Sequence, residues 1–225
     1  MKLFIDTANF NEITSALELG VITGVTTNPS IISRDLADRD ADSYYSHISR
    51  ILTLMAPVPD SLVNAEVISS ESDEMIKEGI ALAALSSSSR VVIKLPMTTA
   101  GLRACSILTG RGISVTMTLV FSAAQALLAA NAGARYVAPF IGRMDDIGGS
   151  GIEALAEIVE VMKPFDTKVL AASVRSPLHV VQAAKAGADI ATLPYKVLTQ
   201  MASHPLTAAG LNRFSRDWNG TGGTK

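Results

Sequence analysis

The hydrophobic patterning of the chain predicts one α/β domain of eight strand–helix units closed into a parallel barrel. Three observations predict it. Short β-branched or apolar runs alternate with longer stretches of helical periodicity up to the end of the sequence. The runs number eight in 225 residues, about 28 residues per unit. A hydrophobic content of 48% with only 18% charged residues fills one core, and the length is too short for two ordinary domains. Alternating order puts the strands parallel with helices outside, and eight repeats close more naturally than they extend an open sheet. A doubly wound open sheet is the alternative architecture.

The strands are expected at Leu3 to Asp6, Gly24 to Asn28, Leu62 to Val67, Val91 to Leu95, Ser114 to Leu119, Tyr136 to Ile141, Lys168 to Ser173 and Asp189 to Leu193. Each precedes a stretch able to form a helix. Ser122 opens a run of strong helix formers that stops at Gly133, and Ser150 is placed to cap Ile152 to Met162, which ends before Pro164. The Ser86 to Ser89 run reads as a polar connection, not a domain linker. A last helix is expected over Ala208 to Trp218, with Phe214 and Trp218 on one face, suited to cover a barrel or to grip a neighbour. The domain spans 1–225, ordered to about 218, with 219–225 a flexible tail.

Charge and cysteine content narrow the function classes. A net charge of −2 from 19 basic and 21 acidic residues gives no case for nucleic acid. One cysteine, Cys105, permits no intrachain disulfide and fits a reducing compartment. The N-terminal segment meets Asp6 after three apolar residues, and no run of about 18 apolar residues occurs, so neither a signal peptide nor a membrane span is expected. The expected location is cytoplasmic. His47, His179 and His204 are scattered, so no metal is expected, and without a glycine-rich nucleotide loop no cofactor is expected either. Asp145-Asp146 reads as a solvated loop pair before it reads as a magnesium site.

In a barrel, active-site groups sit where strands finish, so the last polar residue of each run is the informative one. Those residues are Asp6, Asn28, Glu66, Lys94, Thr118, Arg143 just past the sixth run, and Ser173 with Arg175. Lys94 is the most unusual. In Val91-Val92-Ile93-Lys94-Leu95-Pro96, alternation sends Val92 and Lys94 to one face, and both faces of a barrel strand are largely dry. Burial disfavours an ammonium and leaves neutral amine able to attack a carbonyl. A strand-end lysine that snorkels to solvent or pairs with a carboxylate fits the same pattern.

The other residues also have two readings each. Asp6 is either a proton carrier or the N-cap of the first helix. Glu66 is a buried acid in need of a partner or a task. Thr26-Thr27-Asn28-Pro29-Ser30 also suits an Asx turn opening a helix, and Gly148-Gly149-Ser150-Gly151 suits a capped loop as well as an anion cradle. Arg143 and Arg175 offer planar forks for phosphate, or ordinary salt bridges.

Seven stretches, taken in order, are similar to one known family: Phe4-Ile-Asp-Thr-Ala-Asn9, Gly24-Val-Thr-Thr-Asn-Pro-Ser30, Val92-Ile-Lys-Leu-Pro-Met-Thr98, Thr118-Leu-Val-Phe-Ser122, Gln125-Ala-Leu-Leu-Ala-Ala130, Tyr136-Val-Ala-Pro-Phe-Ile-Gly-Arg143 and Leu170-Ala-Ala-Ser-Val-Arg175. Over nearly its whole length the chain resembles the short transaldolases and fructose-6-phosphate aldolases. The resemblance implies a (β/α)8 TIM barrel, sugar-phosphate substrates, no cofactor, and a homo-oligomer, pentamer or decamer, with the C-terminal helix on a neighbour. It implies that Lys94 forms a Schiff base with a ketose phosphate while Asp6 takes the C4 hydroxyl proton. Glu66 and Thr118 then position water, Asn28 holds a hydroxyl with Thr26 and Ser30 beside it, and Arg143, Ser173 and Arg175 bind phosphate. The aldolases carry glutamine and tyrosine where this chain has Glu66 and Phe140, so the resemblance implies transfer of dihydroxyacetone between sugar phosphates, a step of the non-oxidative pentose phosphate pathway. Release of free dihydroxyacetone by a lyase is the alternative.

Overall fold

The computed structural model describes residues 1–34, 40–88 and 90–220. Its strands are β1 (Lys2–Asp6), β2 (Gly24–Thr26), β3 (Leu62–Glu66), β4 (Val91–Pro96), β5 (Val115–Val120), β6 (Tyr136–Pro139), β7 (Lys168–Ala171) and β8 (Ile190–Leu193). Each pairs in parallel with the next, and β8 pairs back onto β1, closing the barrel. The eight expected runs are thus the eight strands, and the open sheet is excluded. Strands β2, β6 and β7 each stop two residues short of the expected end; β2 stops at Thr26 because Asn28 turns the chain into a helix.

Helices α1 (Phe10–Glu18), α3 (Ala41–Met55), α4 (Ser72–Ala83), α5 (Thr99–Gly110), α6 (Ala123–Asn131), α8 (Gly151–Met162), α9 (Pro177–Ala186) and α10 (Tyr195–Ala202) follow the strands in turn. Short helices α2 (Pro29–Ile32) and α7 (Ile141–Asp146) sit in the loops after β2 and β6, and α11 (Pro205–Gly220) ends the described chain. The expected caps are present: Ser122 accepts from the Gln125 amide and Ser150 from the Glu153 amide, satisfying donors that have no partner within the helix. Helix α11 starts three residues before the expected Ala208 and runs two past Trp218, with Leu206, Leu211, Phe214 and Trp218 all exposed. The tail at 221–225 and Ser89 of the serine run lie outside the described residues. No described helix is long and apolar enough to cross a membrane.

Strand alternation splits the core in two. Ile5, Val25, Val63, Ile93, Met117, Val137 and Ala191 face outward into the apolar layer under the helices. Phe4, Val92, Tyr136, Leu170 and Ile190 form a second cluster of the opposite parity, which plugs the barrel. Gly24 makes room for it, since a Cβ there would come within 2.7 Å of the Phe4 ring. Truncating Phe4 to alanine would cost about 3–5 kcal/mol. Above this plug the inward positions turn polar, and the site begins there.

Candidate active site

Lys94 occupies an inward position of β4, only 5% exposed. Its register partner is Glu66 at the end of β3, and Nζ lies 3.1 Å from Glu66 Oε2. Nζ also donates to the Thr27 carbonyl at 2.8 Å. The amine is therefore buried and paired with a carboxylate, not snorkelling. A buried ammonium held by a carboxylate and a carbonyl is expensive to desolvate, which makes its retention informative.

Asp6 ends β1 beside it. Burial raises its carboxyl above the ordinary range, against the lowering effects of the Lys94 charge and of a bond from Thr26. Thr26 Oγ1 donates to Asp6 Oδ1 at 2.7 Å and lies 2.6 Å from the Thr192 hydroxyl, so one polar chain links β1, β2 and β8. Asp6 is not the cap of α1; Asn9 takes that place, accepting from the Asn11 and Glu12 amides. A raised acid and a buried amine facing one cavity are the ingredients of proton transfer coupled to covalent chemistry.

That cavity, about 110 Å³, is lined by Lys94, Asp6, Thr26, Asn28, Phe140, Arg143 and Ser173, and it also takes in Asn64, Thr116 and Thr192. Asn28 caps α2, its Oδ1 accepting the Ile31 amide at 2.9 Å, and the residue also lines the cavity. A second, outer cavity of about 260 Å³ shares Asn28, Phe140 and Arg143 and adds Ser30, Glu66 and Leu119. The Arg143 guanidinium stands 4.9 Å above the Phe140 ring, and Phe121 meets that ring edge-on at 6.1 Å. An apolar ring and a cation thus line the same cavity as the amine.

Two predicted residues are placed differently. Thr118 lines neither cavity; its hydroxyl is fully buried with no protein partner among the described residues, two positions along β5 from Thr116. Arg175 also lines neither and is ion-paired through both guanidinium nitrogens with Asp146, which it holds below the ordinary carboxylate range. Asp145 in turn bonds the Gly151 amide and lies 3.4 Å from His179. The Asp145-Asp146 pair is therefore not simply solvated: Arg175 from the loop after β7 and His179 from the first turn of α9 lie against it.

Three polar lining residues escape the strand-end rule because they sit inside strands: Asn64, Thr116 and Thr192. Thr116 donates to Asn64 Oδ1 at 2.7 Å, and Asn64 Nδ2 is left buried without a protein partner among the described residues. Counting every second residue back from Glu66 on β3 would have found Asn64. Leu119 and Ser173 both hold φ +58, a conformation that costs side-chain-bearing residues about 1–3 kcal/mol, and both border the cavities. Buried Cys105 plays no part here; burial pushes its thiol up to about 12.

Comparison with known proteins accords with this geometry. The family model for transaldolase/fructose-6-phosphate aldolase matches residues 3–224. A probable transaldolase of Caldicellulosiruptor saccharolyticus is 51% identical over 221 residues, covering 97% of each chain. Those of Moorella thermoacetica and Thermoanaerobacter sp. are each 50% identical, over 97% and 99% of both chains respectively. On this match the chain belongs to the transaldolase/fructose-6-phosphate aldolase family and is an enzyme of the transaldolase type, a transferase.

Proposed function

We propose that this enzyme transfers a dihydroxyacetone unit from a ketose phosphate, sedoheptulose 7-phosphate or fructose 6-phosphate, to an aldose phosphate, with Lys94 as the Schiff-base nucleophile. The carrying observation is the buried Lys94 amine sharing one cavity with the Asp6 carboxyl. Lys94 passes a proton to Glu66 and the neutral amine attacks the C2 carbonyl; the carbinolamine oxygen takes one proton from the nitrogen and the one held on Glu66 and leaves as water, forming a protonated imine. Asp6 accepts the C4 hydroxyl proton, the C3–C4 bond breaks, and its electron pair moves onto the imine nitrogen as an enamine while the aldose phosphate departs. The acceptor aldehyde then takes the enamine carbon, its oxygen recovers the proton from Asp6, and water releases the new ketose.

The remaining residues have supporting roles in this reading. Glu66 and the unpartnered Thr118 hydroxyl position the water that enters and leaves the imine. Asn28, with Thr26 and Ser30 nearby, orients hydroxyls, and Arg143, Ser173 and Arg175 receive the phosphate, Arg175 by exchanging Asp146 for it. Phe140 keeps water from the enamine, which favours transfer over release. No cofactor takes part. The reaction belongs to the non-oxidative pentose phosphate pathway in the cytoplasm, and the chain works as a homo-oligomer, pentamer or decamer, with the exposed apolar side of α11 on a neighbouring copy.

The test is to incubate the protein with fructose 6-phosphate, reduce with borohydride, and map the adduct by mass. A three-carbon addition on Lys94 is expected, with product formed only when an aldose phosphate is supplied. Turnover without modification of Lys94 would overturn the mechanism, and free dihydroxyacetone released without acceptor would identify a lyase.

A further inference from the structure

Helix α3 lies outside the barrel, yet one of its side chains reaches the strand ends next to the reactive amine. Tyr44, 3% exposed, donates its hydroxyl to the Glu66 carbonyl at 2.6 Å, beside the Thr27 side chain, whose own hydroxyl donates to the Asn64 carbonyl. Thr27 and Glu66 are the two residues that hold Lys94 Nζ, through the Thr27 carbonyl at 2.8 Å and Glu66 Oε2 at 3.1 Å. A single phenol therefore bonds one of the residues that hold the amine and stands beside the other. We infer that Tyr44 is a positioning residue for Glu66: by tying down the peptide at the end of β3 it fixes where the carboxylate meets Lys94.

The rest of the β3 exit is anchored in a compatible way. The Glu78 carboxylate accepts the Ile68 amide at 2.6 Å and the Ser69 amide at 3.3 Å, and the Val67 amide donates to the Lys94 carbonyl at 3.1 Å. These bonds hold the chain beyond Glu66, while the Glu66 carbonyl is met by Tyr44. Burial pushes the phenol above its ordinary range, and the Glu66 and Glu78 carboxylates push it further, so the hydroxyl remains a donor throughout the working pH range. A carboxylate displaced by even a fraction of an ångström loses alignment with the amine and with any water it orients.

The inference rests on the transfer mechanism proposed above, and the experiment separates the two. Tyr44→Phe, Glu66→Gln and the double variant are compared with wild type for kcat, KM and the rate of borohydride trapping, with circular dichroism as the folding control. Tyr44→Phe is expected to lower kcat and the trapping rate about tenfold, the scale of one well-placed hydrogen bond, with KM changed less than about twofold. In the Glu66→Gln background the same change is expected to cost less than about twofold, because the group it positions is already gone. A full tenfold loss in that background, or no loss in the wild-type background, overturns the positioning role while leaving the Lys94 mechanism standing. Failure of the wild type itself to trap an adduct on Lys94 overturns the mechanism, and this inference with it.

Discussion

Lys94 and Glu66 are register partners on adjacent strands, and their side chains meet at 3.1 Å with exposures of 6% and 13%. Such a pair is costly to desolvate and more costly to halve. Glu66→Leu, which leaves the ammonium without its carboxylate, is expected to lower stability by about 3 kcal/mol, a drop in Tm of about 6–12 °C for a chain of this size. Adding Lys94→Met should restore most of that loss while abolishing the adduct. Thermal unfolding of both variants checks it; equal Tm values would show that the two charges are not coupled.

The Asp6 carboxyl is raised by burial, and the sign of its effect on stability follows. Between its unfolded value and its raised folded value the native state holds a proton that the unfolded chain has lost, so stability falls as pH rises through that window. Above the window the ionised Asp6 is a net cost. Asp6→Asn, which can still accept from Thr26, is expected to raise Tm at pH 7.5, with the gain vanishing as pH drops below the carboxylate range. Its kcat should fall by about 10²–10⁴ with loss of the base. A Tm unchanged at every pH would argue that burial does not strain this carboxyl.

Phe140 brings an apolar ring into the cavity that holds the amine, stacked under Arg143 and braced by Phe121. Phe140→Tyr places a phenol oxygen where water or a proton can be delivered to the enamine. Release of dihydroxyacetone from fructose 6-phosphate without acceptor is expected to rise about tenfold or more, and transfer to fall. The measurement is free dihydroxyacetone in an acceptor-free assay. Unchanged release would mean that water exclusion does not depend on this ring.

How legible the molecule is from its residues depends on how local the signal is. The eight strands show plainly, because β-branched runs in a parallel barrel are continuous and the intervals carry their own caps, as at Ser122 and Ser150. Lys94, Asp6 and Glu66 stand out because charges are rare at dry strand ends. Asn64, Thr116 and Thr192 do not, since threonine is an ordinary strand residue and only the inward parity gives them away. Tyr44 is invisible, as its role depends on a helix folding back 22 residues short of Glu66. The Asp146–Arg175 pair spans 29 positions, and no sequence pattern announces it.

Gly142 sits where the loops after β6 and β7 cross. Its amide donates to the Ser173 carbonyl at 3.1 Å, and a Cβ there would come within 2.3 Å of that oxygen and 2.7 Å of Arg175 Nε. No backbone oxygen tolerates such a contact, so Gly142→Ala must push the two loops apart, at about 1–3 kcal/mol. The displaced residues are those assigned to phosphate: Arg143 is next in sequence, Ser173 carries the carbonyl, and Arg175 loses its path past the glycine. Lys94 and Asp6 lie on other strands and keep their geometry. Gly142→Ala is therefore expected to raise KM for fructose 6-phosphate about tenfold or more, while borohydride trapping of free dihydroxyacetone on Lys94 stays within about twofold of wild type. Equal damage to both would place the crossing's effect on the amine, not on the phosphate end.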